Sequence, residues 1–273
     1  MSGASYGGDE VGAVVVDIGS STVRVGYAGY DSPIGDFPSV ASVLPHLLNA
    51  SEDNNPPLQS NPATNSESPA PEVKAAPTPQ AALFGSEWVN NPRPKAEIVS
   101  LLKDGLIEDW DMFERLMAYI YKRHLNSDSV YHPILLTEPA WNTKAKREKT
   151  TEIMFEKFNV PAYYLAKSAM LSAFANGRAS ALVLDSGAGQ TSAVPVYDGY
   201  VMTQAVTRSP LAGDFLNMES KRVIQDLGIE IVPSYQVATK ENVGLDIPAK
   251  WTKRQNLSGN FTYFFFELSK FIF

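Results

Sequence analysis

A chain of 273 residues that is 44% hydrophobic can bury a sizeable core and divides into one or two domains at about 150 residues each. Its formal charge of -7 and isoelectric point near 5.1 provide no basic field to hold a phosphate backbone, which argues against direct nucleic-acid binding. The absence of cysteine excludes disulfides, thiolate metal sites and a cysteine nucleophile.

Residues 1–10 are small, polar and acidic. They read as a flexible N-terminus without the charged and apolar stretches of a secretory signal. No run of about 20 apolar residues follows, so the expectation is an intracellular protein that does not enter a membrane. Val11 to Val16 is a β-branched run ending in Asp17-Ile18-Gly19-Ser20-Ser21-Thr22, and Val23, Val25 and Tyr27 then alternate at period two. This predicts strand, tight turn, strand. Residues 49–82 hold seven prolines and five asparagines with no aromatic residue, a composition that predicts a disordered surface insertion.

Helical spacing follows. Trp110 to Leu125 places Phe113, Leu116, Met117, Ile120 and Tyr121 on one face, with Asp111 as the expected N-cap. Thr143 to Phe158 carries Ile153, Met154 and Phe158, with Asn142 as its expected cap, and its Lys144, Lys146, Arg147 and Lys149 read as a solvated face. A third helix, Ala166 to Asn176, should stop at Gly177. The apolar run Ala181 to Leu184 then ends in Asp185-Ser186-Gly187-Ala188-Gly189-Gln190-Thr191, and Ala193 to Val196 leads into a Tyr197-Asp198-Gly199-Tyr200 turn. His46, His124 and His132 are scattered without metal-ligand spacing and read as surface or loop side chains. Residues 260–273 hold six of the thirteen phenylalanines, an atypical aromatic tail unlike anything upstream, read as an aberrant or alternatively spliced terminus.

The same hairpin thus occurs twice, with its aspartates 168 positions apart, a separation that suits one phosphate hairpin in each of two related lobes. Small residues let successive backbone N–H groups converge on anionic oxygens, which Gly19, Ser20, Ser21 and Thr22 and the Gly187-Ala188-Gly189-Gln190 turn both allow. Asp17 and Asp185 are placed to accept hydrogen bonds from the waters of a hydrated Mg²⁺, and Arg24 to contact phosphate oxygens. Asp-x-Gly after an apolar run is also a common strand ending, so the pair is far more specific than either hairpin. No Walker lysine loop or Gly-x-Gly-x-x-Gly is present.

Val-Asp-Ile-Gly-Ser-Ser-Thr-Val-Arg-Val-Gly-Tyr-Ala-Gly, Leu-Leu-Thr-Glu-Pro-Ala-Trp-Asn, Lys-Arg-Glu-Lys, Ile-Met-Phe-Glu and Leu-Asp-Ser-Gly-Ala-Gly resemble the actin family over about residues 10 to 255. The resemblance implies an α/β, two-lobed fold of the actin, Hsp70 and sugar-kinase type, with a first lobe over 11–165, the start of a second over 166–255 and the tail over 256–273. It implies ATP and Mg²⁺ as cofactors. Asp17, Ser20, Asp185, Gly187 and Gly189 match the phosphate and magnesium positions, Gly213 matches a glycine near the nucleoside, and Arg24 replaces a lysine. Three departures touch hydrolysis: Ser168 stands where the family has the glutamine that orients water, Ala188 replaces an aspartate, and Ser192 replaces a histidine.

The resemblance therefore implies nucleotide binding without useful turnover, with an active ATPase as the competing reading. The insertion replaces a loop used for filament contacts, which favours a scaffold. The Tyr-Gly-Gly-Asp-Glu-Val-Gly-Ala opening and the Ser209 to Phe215 stretch point to a nuclear branch that serves chromatin-remodelling and histone-acetyltransferase complexes. Its expected partners are a helix of the remodelling ATPase, other complex subunits and monomeric actin. Phe174 and Tyr200 fall where the family lines its partner-binding cleft, with ordinary core packing as the alternative. A whole fold of this type needs about 100 further residues, so a truncated product without stable function is a third expectation.

Overall fold

The computed structural model of the protein describes residues 12–44, 81–91, 93, 96–229, 231–244, 247, 250–254 and 271–272. Residues 1–10, His46, positions 49–80 of the insertion and positions 256–270 of the tail lie outside the described residues.

Strands β1 (Val14–Ile18), β2 (Thr22–Tyr27) and β3 (Gly35–Pro38) are antiparallel neighbours, and the first two form the expected hairpin. Val14, Val16, Val23 and Val25 are fully buried while Arg24 is exposed, the alternation of strands with one covered face. β4 (Val40–Leu44), β5 (Ala81–Leu83) and β6 (Glu97–Ser100) form a second sheet, with the short helix α1 (Ser86–Val89) between the last two. Ala81 and Ala82, assigned from composition to the insertion, pair instead with Leu44 and Val43. β7 (Leu102–Lys103) and β8 (Leu106–Ile107) close on Asp104 and Gly105, whose φ values of 54° and 75° suit a two-residue hairpin turn.

Helix α2 (Trp110–Tyr119) continues as a π-helical turn over Ile120–Leu125. Its N-cap is Asp109 rather than Asp111: the Asp109 backbone is extended and its carboxylate accepts from the Met112 amide at 2.9 Å. After β9 (Ile134–Glu138), helix α3 (Lys144–Glu152) is capped by Thr143 and runs on through a π-helical turn, Ile153–Lys157. Asn142, the expected cap, donates to the Glu138 carboxylate. β10 (Tyr163–Lys167) takes up Ala166 and Lys167, so α4 (Ser168–Ala175) begins two residues later than periodicity placed it. Its end is as expected, with Gly177 at φ 66° and its N–H on the Phe174 carbonyl.

β9 lies parallel to both β1 and β10, giving the order β10-β9-β1-β2-β3. Phe113, Leu116, Met117, Ile120, Ile153 and Met154 cover this sheet and belong to one core with Val14, Val16, Val23 and Val25. Beyond α4, a separate four-stranded sheet holds β11 (Ala181–Ser186), β12 (Thr191–Tyr197), β13 (Tyr200–Val201) and β14 (Thr207–Ser209). Helix α5 (Gly213–Asp226) follows, then β15 (Val232–Pro233), β16 (Val237–Lys240), β17 (Trp251–Lys253) and β18 (Phe271–Ile272). β18, within the aromatic tail, pairs with β15. The cluster buried with the four-stranded sheet is small, Ala140, Ala169, Ala173, Val194 and Val196. On the other face of β11, Leu182 and Leu184 remain 71% and 72% exposed.

Two histidines read as surface residues are structural. His132 bridges the Ser127 hydroxyl at 2.8 Å and the Gly12 carbonyl at 3.0 Å. The His124 ring stacks on Phe37 at 4.7 Å and meets the edge of Tyr119. A Cβ on Gly35 would sit 2.5 Å from His124 Nδ1, so only glycine admits the ring. Burial, and then Arg123, push the His124 pKa below its ordinary value. Because the folded value is the lower one, the neutral ring's contribution is complete above the unfolded pKa of about 6.5 and is lost as pH falls toward the folded value. Urea midpoints at about pH 7.5 and about pH 5.5 should therefore differ more in the natural chain than in His124→Phe. Gly35→Ala should cost about 1–3 kcal/mol by overpacking, measured in the same titration.

Candidate functional site

The first hairpin is held from beside and below. Asp17 Oδ1 accepts from the Thr137 hydroxyl at 2.5 Å, at the end of the parallel neighbour β9. The Gly19 N–H closes the turn on the Thr22 carbonyl at 2.9 Å. Ser39, fully buried, donates its hydroxyl to the Ser20 carbonyl at 2.8 Å and its amide to the Ser21 carbonyl at 2.9 Å. With those carbonyls engaged below, the amides of Ser20 and Ser21 donate to no backbone carbonyl among the described residues.

The second hairpin repeats the arrangement with other partners. Gly187 N–H closes on the Gln190 carbonyl at 3.1 Å, and the carbonyls of Gly187 and Ala188 accept from the amides of Gly213 at 3.0 Å and Asp214 at 2.9 Å. A Cβ on Gly213 would lie 3.4 Å from both the Gly187 carbonyl and Ala188 Cα, so α5 starts directly against the turn. The amides of Ala188, Gly189 and Gln190 again have no backbone acceptor among the described residues. Asp185 is exposed at the end of β11, opposite Ser192 in register.

The two turns face each other. The point that a Cβ on Gly189 would occupy lies 3.6 Å from Ser20 Oγ and 4.0 Å from Asp214 Oδ2. One acceptor, the Asp104 carbonyl, receives Gln190 Nε2 at 3.3 Å and Trp141 Nε1 at 3.2 Å, and the Arg208 guanidinium lies 4.8 Å from the centre of the Trp141 ring. Unpaired amides on opposed turns form an anion-binding concavity, which fits a polyphosphate spanning them. Among the described residues no three carboxylate or histidine side chains converge to hold a metal. A cation here would be held by Asp17 or Asp185, water and phosphate oxygens, the mode that Mg²⁺ favours.

Arg24 shares the sheet face of Asp17, its register partner, but its Nε points to Asp36 at 3.4 Å rather than standing free for phosphate. Of the three departures named above, Ser168 stands at the start of α4, Ala188 lies in the second turn and Ser192 is buried in β12. Phe174 and Tyr200 are 49% and 78% exposed, which is surface placement rather than core packing.

The basic cluster on α3 also differs from a uniformly solvated face. Lys146 Nζ reaches the Ile107 carbonyl and Glu108. Arg147 Nε pairs at 3.1 Å with Glu138, a carboxylate buried under the site. Asn142 donates to the same Glu138 oxygen, and Glu138 Oε1 has no partner among the described residues.

Sequence reasoning missed Ser39, Asp104, Thr137 and Asp214 as supports of the hairpins, and the buried Glu138 that pairs with Arg147. Only Thr137 had a legible signal, a hydroxyl ending a strand that could run parallel to β1. Removing one partner of a buried pair leaves an uncompensated charge; since half of Arg147 is exposed, Arg147→Met should cost about 2–3 kcal/mol in chemical denaturation. Thr137→Val, which keeps shape and removes the donor to Asp17, should cost about 1–2 kcal/mol in the same measurement.

The family model for actin matches residues 8–267. The chain is 38% identical over 252 residues to an actin-related protein 4 of rice, Oryza sativa subsp. indica, covering 89% of this chain and 56% of the relative. It is 41% identical over 237 residues to the Arabidopsis thaliana protein of that name, covering 86% and 53%. With the Yarrowia lipolytica protein of that name it shares 39% over 259 residues, covering 94% and 56%. The chain thus spans about half the length of the curated relatives it matches. Opposed glycine hairpins on an α/β framework and a family match along nearly all of its length make this chain a member of the actin family.

Proposed function

We propose that the chain is an actin-related subunit that holds Mg-ATP between its two hairpins as a structural ligand, without useful turnover. The observation that supports this most is the facing pair of turns, each with unpaired amides and each preceded by an aspartate at a strand end. Binding of this kind draws on backbone donors and on Asp17 and Asp185. Hydrolysis needs a further side chain to orient water and handle its proton, and losing proton handling alone typically costs about 10²-fold or more. Ser168, Ala188 and Ser192 supply neither.

The setting we propose is nuclear, in chromatin-remodelling and histone-acetyltransferase complexes, a reading that rests on kinship with the actin-related protein 4 group. The partner we propose is an apolar helix of a remodelling ATPase docking against Phe174 and Tyr200, whose exposed rings suit helix-in-groove recognition. Actin itself and neighbouring subunits are further partners in the same proposal.

The test is thermal unfolding of the purified chain with and without Mg-ATP, with phosphate release followed in parallel. Ligand at about 100 times its dissociation constant should add about 2.7 kcal/mol to a cooperative transition, with no release above background. A broad transition that ignores ATP would defeat the binding proposal. Sustained phosphate release at the rate of actin would defeat the non-catalytic one.

A further inference from the structure

One carboxylate at the junction of the hairpins is suited neither to gripping phosphate nor to water-mediated support of a cation from a strand end. Asp214 sits in the first turn of α5, its amide donating to the Ala188 carbonyl at 2.9 Å. Its Oδ2 lies within 4.0 Å of the point where a Cβ on Gly189 would stand, and Ser20 Oγ lies 3.6 Å from that same point. The carboxylate therefore lies beside the place where Gly189 approaches Ser20.

Asp214 is half-buried, and among the described residues neither an ion pair nor a hydrogen bond reaches its carboxylate. Burial pushes its pKa above the ordinary aspartate value, and no cation offsets the effect. The helix N-terminus that places it favours negative charge there.

Resting on the proposal that the hairpins bind a polyphosphate, we infer that Asp214 makes the cleft discriminate in favour of a nucleotide that arrives already neutralised by a divalent cation. A bare polyphosphate brings several negative charges beside a fixed, poorly solvated carboxylate, and the repulsion is weakly screened in so narrow a space. A bound Mg²⁺ cancels much of that charge and inverts the local electrostatics. Asp214 is thus a specificity-determining residue acting by repulsion, the exclusion of the wrong ligand form by a misplaced charge. The alternative is that Asp214 only complements the α5 dipole, which would make it a matter of helix stability.

The two roles separate in one experiment on the full chain. ATP affinity is measured by calorimetry or ligand-induced thermal shift, once with excess Mg²⁺ and once with the metal chelated, for the natural chain and for Asp214→Asn. Asparagine keeps size and hydrogen-bonding capacity while removing the charge. The natural chain should prefer the Mg-loaded form by about tenfold or more, and Asp214→Asn should shrink that ratio at least threefold, mainly by tightening metal-free binding. An unchanged ratio, with or without a lower melting temperature, would overturn the inference while leaving nucleotide binding standing. Failure of both proteins to bind ATP in either form would overturn the binding proposal and this inference together.

Discussion

The narrow junction between Ser20 and Gly189 is the constraint on which the rest of the site depends. A Cβ on Gly189 would make ordinary van der Waals contact with Ser20, 3.6 Å from its Oγ, so the space between the turns has room for little more than that. Near the turns the hydrogen bonding is modest: a carbonyl on the Asp104-Gly105 turn takes a donor from Gln190 of the second hairpin and one from Trp141. Exposed bonds of this kind contribute about 1 kcal/mol each. The junction is therefore closed but not locked. A ligand that gathers the unpaired amides of both turns adds directly to the contacts already joining the lobes.

The two hairpins stand on unequal foundations. β1 lies between β2 and β9 in the middle of a five-stranded sheet and is packed from one side by Phe113, Leu116 and Met117. β11 is an edge strand over a small cluster of alanines and valines, and Leu182 and Leu184 face outward. Fully burying one such leucine side chain is worth about 1.5–3 kcal/mol, so this exposed face represents stabilisation the second lobe does not draw from the described residues. Helix α5 has the same character, with Leu216, Val223 and Leu227 all more than half exposed. The geometry of the second turn consequently leans on local bonds, from Gly213 and Asp214 to the turn carbonyls and from Thr191 to the Leu211 carbonyl.

Local chemistry was legible in the sequence and long-range support was not. The apolar runs ending in Asp-x-Gly, the glycine that stops α4 and the apolar face of α2 follow from periodicity and turn preference, and the structure has them. Helix starts shifted because neighbouring polar residues compete to cap: Asp109 displaces Asp111 and Thr143 displaces Asn142, and only the backbone conformation decides between them. Ala166 and Lys167 joined a strand because a parallel edge, at Thr137 and Glu138, was there to receive them. Ser39, Thr137 and Asp214 could not be assigned from spacing, since each acts on a turn far from it in sequence. His124 was misread for the same reason. Nothing near it in the chain announces the slot that Gly35 and Phe37 provide.

Binding and hydrolysis draw on different parts of such a site, and the function proposed for this chain rests on separating them. The grip comes from backbone N–H groups, which survive substitution as long as the turn keeps its small residues, and the Gly19, Gly187 and Gly189 positions do. Turnover depends on side chains of particular reach and acidity, which one substitution removes, and the proposed reading takes Ser168, Ala188 and Ser192 as three such losses. Asp104 points the same way. It contributes its backbone carbonyl to the junction, so the contact would persist with another side chain able to tolerate its positive φ. A cleft that retains its backbone donors while losing its side-chain acid-base groups is suited to keeping a nucleotide in place, and to using its two-lobe span as a brace.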